Sequence, residues 1–161
     1  MTTQTAHSLD VGPQALVLVD LQCALLEGEE AVPDARSLRK AVETQLEKAR
    51  TAGCLVIHLQ NDGAVGAPDE AGTVGWQLAL PVEPNEPVLR KEEDDGFDGT
   101  ALEQLLLDAG AEHVSVGGVN SEMRVAASAR GALAPELLPP LLDHRDPLAR
   151  GRSLWLRPSA A

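Results

Sequence analysis

The run Ala15-Leu-Val-Leu-Val19, aliphatic at every position and closed by Asp20, constrains the fold more than any other segment. A strand that is apolar on both faces belongs in the interior of a parallel sheet, where helices cover both sides. From Asp34 the pattern changes to helical spacing, with Leu38, Ala41, Val42, Leu46 and Ala49 on one face, Asp34 placed to cap the start and Gly53 to end it. Cys54 to Leu59 is a second buried run, so strand, helix and strand follow in the order of a right-handed crossover unit. The expected fold class is therefore α/β, with helices on a mostly parallel sheet.

Asn61 to Pro87 is rich in Gly, Pro and acids, with Trp76, Leu78 and Leu80 as its apolar anchors. A stretch that long inside a compact domain is usually a functional loop, and it is expected to border a pocket. Val88 and Leu89 then read as a short strand. Thr100 and Glu103 have the spacing of a capping box ahead of Leu102, Leu105, Leu106 and Ala109, with Gly110 as the stop. Val114 to Val116 reads as a further strand, Gly117 and Gly118 as a turn, and Asn120 or Ser121 as the cap of a helix running through Met123, Ala126, Ala127 and Arg130 to about Leu133.

Composition narrows the function classes. At 161 residues the chain has room for one core, and because aromatics are only 2%, that core must be Leu, Val and Ala. The formal net charge is -12, a surface that repels phosphate backbones and anionic lipid heads, so neither nucleic acid nor a membrane is expected as a partner. No basic residue precedes an apolar run in Met1 to Asp10, so no export signal is expected, and the cytoplasm is the expected compartment. Cys23 and Cys54 form no CxxC pair and do not suggest a disulfide framework. His7, His58, His113 and His144 lie far apart, so no metal is expected, and His58 inside a strand reads as a satisfied core or rim histidine. The glycines at 12, 63, 66, 72 and 75 make no phosphate-binding loop with correct flanks, and no cofactor is expected.

After Ala134 the pattern breaks. Residues 135–161 carry prolines at 135, 139, 140, 147 and 158 together with four Arg and seven Leu, and only Ser153 to Leu156 reads as a strand. The chain is accordingly divided into a domain over residues 1–134 and an atypical tail over 135–161.

Ligands of open parallel sheets sit beyond the carboxyl ends of the strands, which singles out Asp20, Lys91 and the turn from Gly117 to Arg124. Asp20 follows a buried strand, where a partly desolvated carboxylate can serve as general base or acid; the plainer alternative is a loop-capping Asp. Lys91 precedes Glu92, Glu93, Asp94 and Asp95, and position alone favours reading it as part of a solvated charge run. The turn brings the backbone amides of Val119, Asn120 and Met123 to a helix N-terminus, an arrangement suited to an oxyanion, although any crossover unit has such a turn.

Together, Leu16-Val-Leu-Val-Asp20-Leu-Gln22, His58-Leu-Gln-Asn-Asp62, Val88-Leu-Arg-Lys91 and Gly118-Val-Asn-Ser-Glu-Met123 resemble the isochorismatase-like cysteine hydrolase family, in the family's order and spacing over residues 15–134. Gly72-Thr-Val-Gly-Trp76 resembles one branch of it. The resemblance implies a three-layer α/β/α fold on a six-stranded parallel sheet, a small-molecule substrate, and a tendency to form homo-oligomers. It implies that Asp20 deprotonates a thiol, that Lys91 orients and charge-balances it, and that Gln22 and Trp76 line the substrate pocket. The family nucleophile stands four positions after Asn120, and here that position is Arg124 rather than Cys. A thiolate in the first turn of a helix is stabilised by the amide dipoles and a nearby ammonium. A guanidinium is always charged, offers no nucleophilic lone pair and sits at the helix end that disfavours cations. Cys23, three residues after Asp20, is the thiol with any claim to stand in, without the helix N-terminal setting.

The family's final strand, helix and strand have no periodic counterpart after Leu133. The shift to Arg, Pro and Leu is what a misread high-GC coding sequence gives, so a truncated or frame-shifted end is expected, with C-terminal strands missing and Val114 to Val116 left as an exposed edge open to self-association. Three functions follow as expectations: hydrolysis of a small amide or related C–N bond, inactivated by Arg124; vinyl-ether hydrolysis of the isochorismate type, in which Asp20 donates a proton and no Cys is needed; or a non-catalytic remnant serving as a binding module.

Overall fold

The computed structural model describes residues 15–93, 96–111 and 114–118, and the backbone of residues 154–156. Among the described residues, five strands form one sheet in the order β3-β2-β1-β4-β5, with β1 Ala15–Val19, β2 Leu55–Asn61, β3 Val88–Lys91, β4 Val114–Gly118 and β5 Leu154–Leu156. β1 pairs in parallel with β2 and β4, and β2 with β3, as the apolar runs require; β5 alone is antiparallel, on β4.

Alternation along the strands feeds two cores. Val17, Val19, Ile57, Leu59, Val114 and Val116 pack with Leu102 and Leu106 of α3 (Leu102–Asp108). Leu16, Leu18 and Val56 pack with Leu38, Val42, Leu46 and Ala49 of α2 (Ala35–Thr51). Apolar clusters on opposite faces, each joined to a helix, are the α/β/α layering expected from the sequence. A short helix that periodicity did not signal, α1 (Cys23–Leu26), follows β1. Among the described residues no helix is long and apolar enough to cross a membrane.

Several local expectations are corrected. Asp34 sits at the start of α2 but makes no side-chain capping bond, because its backbone is left-handed at φ 60 rather than in the extended region that capping uses. α3 begins at Leu102, with Ala101 at the cap position; Thr100 Oγ1 accepts the Leu102 N–H at 3.3 Å, displaced by one residue from a capping-box position. β4 is not an exposed edge: Val114, Ser115 and Val116 pair with Leu156, Trp155 and Leu154, so the strand segment anticipated in the tail fills the place thought vacant. The helix expected from Asn120 to Leu133 lies outside the described residues.

Gly53, just past the end of α2, has φ +71, and a Cβ there would meet nothing within 4 Å. Gly53→Ala therefore suffers only the left-handed backbone penalty, and urea unfolding should show a loss of about 1–2 kcal/mol.

Candidate active site

The strand order reverses at β1, with β2 and β3 on one side and β4 on the other, so the crevice at the carboxyl end of β1 is the place where open α/β sheets hold ligands. Asp20 stands there. It has φ 55, a conformation that side-chain-bearing residues rarely adopt and that ends the alternation of β1. Its backbone N–H extends the ladder to Leu59 O at 3.0 Å. Register does the rest: Val19 lies opposite Leu59 on β2, and Asn61, two residues on, lies opposite Lys91 at the end of β3.

The result is a contact between residues 71 positions apart, Lys91 Nζ to Asp20 Oδ1 at 3.1 Å, with both side chains 0% exposed. Lys91 Nζ also approaches Asn61 Oδ1 at 3.4 Å and the carbonyl of Glu93 at 3.2 Å. Lys91 is thus set apart from the charge run that follows it, since Glu92 and Glu93 are exposed while Lys91 is buried. A buried ammonium and carboxylate in contact, with further oxygens completing the ammonium's bonds, form an ion pair shielded from water.

Gln22 is fully buried, and its amide is committed to backbone: Oε1 accepts Asn61 N–H at 2.9 Å, and Nε2 donates to Asn61 O at 2.9 Å and Trp76 O at 3.0 Å. It fastens the end of β2 to the long loop. Gln60 Nε2 donates to the same Trp76 carbonyl at 2.9 Å. The Trp76 ring is half-buried, donates from Nε1 to Asp62 Oδ1 at 2.8 Å, and carries the Arg90 guanidinium 5.0 Å above its centroid. Arg90 in turn pairs through Nη2 with Asp62 Oδ2 at 2.8 Å. Trp76, Asp62 and Arg90 therefore make one cluster, in which Asp62 and Arg90 directly adjoin Asn61 and Lys91 along the chain.

Val119, Asn120, Met123 and Arg124 lie outside the described residues. The strand that leads to them ends at Gly118, directly opposite Val19, one residue before Asp20. Cys23 is the first residue of the four-residue α1. Burial pushes its thiol up from the ordinary value and the nearby Glu27 carboxylate adds to this, which works against a thiolate. His58 is a satisfied buried histidine, with Nε2 2.9 Å from Glu86 Oε2. Among the described residues no cluster of His, Cys, Asp and Glu has the makings of a metal site.

Sequence reasoning passed over Asn61 and Asp69, which meet here, Asn61 Nδ2 donating to Asp69 Oδ2 at 2.8 Å. Asn61 stood inside a quoted motif, but nothing in its spacing tied it to Asp69 or Lys91.

Comparison with known proteins supports the fold and identifies the family. The isochorismatase domain model matches residues 14–138. Two relatives from Streptomyces noursei, each called streptothricin hydrolase, are 53% identical over 83% of this chain and 56% identical over 74% of it. The chain spans about half the length of these relatives, 53% of one and 44% of the other. The crystal structure of N-carbamoylsarcosine amidase from Thermoplasma acidophilum superimposes with a TM-score of 0.69 at 25% identity, covering 74% of this chain and 75% of that one. With the family match over most of its length and the fold shared, this chain belongs to the isochorismatase family.

Proposed function

We propose that the crevice beside Asp20 takes a small molecule bearing an amide or related C–N bond, and that Arg124, at the family's nucleophile position, silences hydrolysis of that bond in this chain. The observation that carries this reading is the Lys91 and Asp20 ion pair, 3.1 Å long, fully buried and placed where the strand order reverses. Two relatives called streptothricin hydrolase, 53% and 56% identical to the chain, support the hydrolytic lineage and make streptothricin the first substrate to test.

In an active site of this kind Asp20 accepts the thiol proton, the sulfur attacks the carbonyl carbon, the amine leaves with a proton, and water releases the acyl group. Asp20 and Lys91 supply the base and the positive charge; the sulfur is the missing member.

Wild type and Arg124→Cys, assayed against streptothricin, a panel of small amides and isochorismate, separate the readings. Amide turnover is expected from the variant and not from the wild type. Amide hydrolysis by the wild type that survives Cys23→Ala would overturn the proposal, and isochorismate turnover by the wild type would favour vinyl-ether chemistry.

A further inference from the structure

Asn61 lies between two groups of opposite hydrogen-bonding character. Its Nδ2 donates to Asp69 Oδ2 at 2.8 Å, and its Oδ1 faces Lys91 Nζ at 3.4 Å. An ionised carboxylate only accepts and an ammonium only donates, so a carboxamide with one end of each kind is the side chain that fits both. The orientation of the amide is fixed by these neighbours: a flip would set NH2 against NH3+ and oxygen against carboxylate. The Asn61 main chain is held as well, its N–H and C=O both bonded to Gln22.

Asp69 reaches Asn61 because the loop after β2 folds back on itself. Gly63 N–H donates to Asp69 O at 3.0 Å and Gly63 bridges to Glu70. A Cβ at Gly63 would overlap both the carboxylate and the backbone of Asp69, so the absence of a side chain is what allows this approach.

We infer that Asn61 and Asp69 are positioning residues for the site: Asp69 sets the direction of the Asn61 amide, and Asn61 holds the Lys91 ammonium against Asp20. The inference rests on the reading of Lys91 and Asp20 as the reactive pair, and it gives part of the long loop a defined task. The relay runs from Asp69 through Asn61 and Lys91 to Asp20, linking a half-buried loop carboxylate to a buried one.

The test reads Lys91 directly and needs no turnover. In 15N-labelled full-length protein, the side-chain ammonium signal of Lys91 is assigned by its loss in Lys91→Arg, and its proton exchange with water is measured beside the melting temperature. Asn61→Asp sets two carboxylates against each other, and Asp69→Asn removes the group that orients the amide; each should speed exchange about tenfold, the effect of one charge-assisted hydrogen bond. Combining Asn61→Asp with Asp69→Asn restores a donor facing an acceptor, with a carboxylate still towards Lys91, and should bring exchange back to the wild-type rate. A role confined to loop stability would lower the melting temperature in the single variants and leave ammonium exchange unmoved. That result, or a double variant exchanging as fast as the singles, overturns the inference. If a single variant does not fold, the double variant against wild type decides. Inactivity of Arg124→Cys would sink the functional proposal while leaving this measurement untouched.

Discussion

Lys91→Met is expected to lower the stability of the folded chain by about 3–5 kcal/mol, the usual loss when one member of a buried ion pair is removed. Methionine keeps the volume of the side chain, so the loss is electrostatic: Asp20, 0% exposed, would stay in place without the cation 3.1 Å away. The compensating variant makes the cause visible. Adding Asp20→Asn to Lys91→Met removes the second charge and should recover part of the loss, because two neutral groups replace a buried ion without its counter-ion. Urea unfolding of the two single variants and the double completes the cycle. Additive single losses, with no recovery in the double, would mean that the pair contributes no mutual stabilisation.

The second large effect is acid-dependent and lies at the other end of the long loop. Glu86 is nearly fully buried; burial on its own would push its carboxyl up, but the opposing contacts prevail. Arg50 donates from Nε at 2.7 Å and from Nη2 at 2.9 Å, His58 Nε2 is 2.9 Å away, and the Glu83 N–H donates at 3.1 Å. Together they hold the carboxyl at about 2 against an ordinary 4.5. A carboxyl lowered in the folded state stabilises it fully above pH 4.5, and this contribution disappears as the pH falls from there through about 2. At neutral pH it amounts to roughly 3 kcal/mol. Glu86→Gln should lower stability at pH 7 by about that amount and flatten the slope between pH 4.5 and 2, measured by urea unfolding at a series of pH values. An unchanged slope would show that Glu86 does not govern this part of acid unfolding. The contacts join β2, α2 and the segment before β3, so the loss also loosens the far anchor of the loop whose near end carries Asp69.

What could be read in advance follows from how far each signal travels along the chain. Buried strands declare themselves within five to seven residues, so β1 was legible from an unbroken aliphatic run, β2 from the mostly apolar run that opens it, and α2 from Leu38, Val42, Leu46 and Ala49 recurring on one face. Asp20 and Lys91, which the fold brings into contact, could be singled out as candidates because strand ends are where such sheets hold ligands and because their motifs resemble a family's. Capping was less so. Asp34 and Thr100 have the right chemistry near the right places, yet the backbone at Asp34 is left-handed and α3 starts one residue late, and neither shift has a signature in residue type. Glu86 could not be singled out among the acids of its loop, since its importance comes from Arg50 and His58, 36 and 28 positions away.

The amino-acid order alone determined the layering: aliphatic runs demand a covered parallel sheet, and helical spacing supplies the covers. The tertiary structure decided what touches what. Strand register set Asn61 opposite Lys91, a left-handed residue at the end of β1 brought the Asp20 carboxylate to the same ammonium, and a glycine without a side chain let Asp69 approach. Periodicity is a property of neighbours along the chain and is written locally. Contacts across tens of residues arise only when separate elements share one sheet, and no local pattern encodes them.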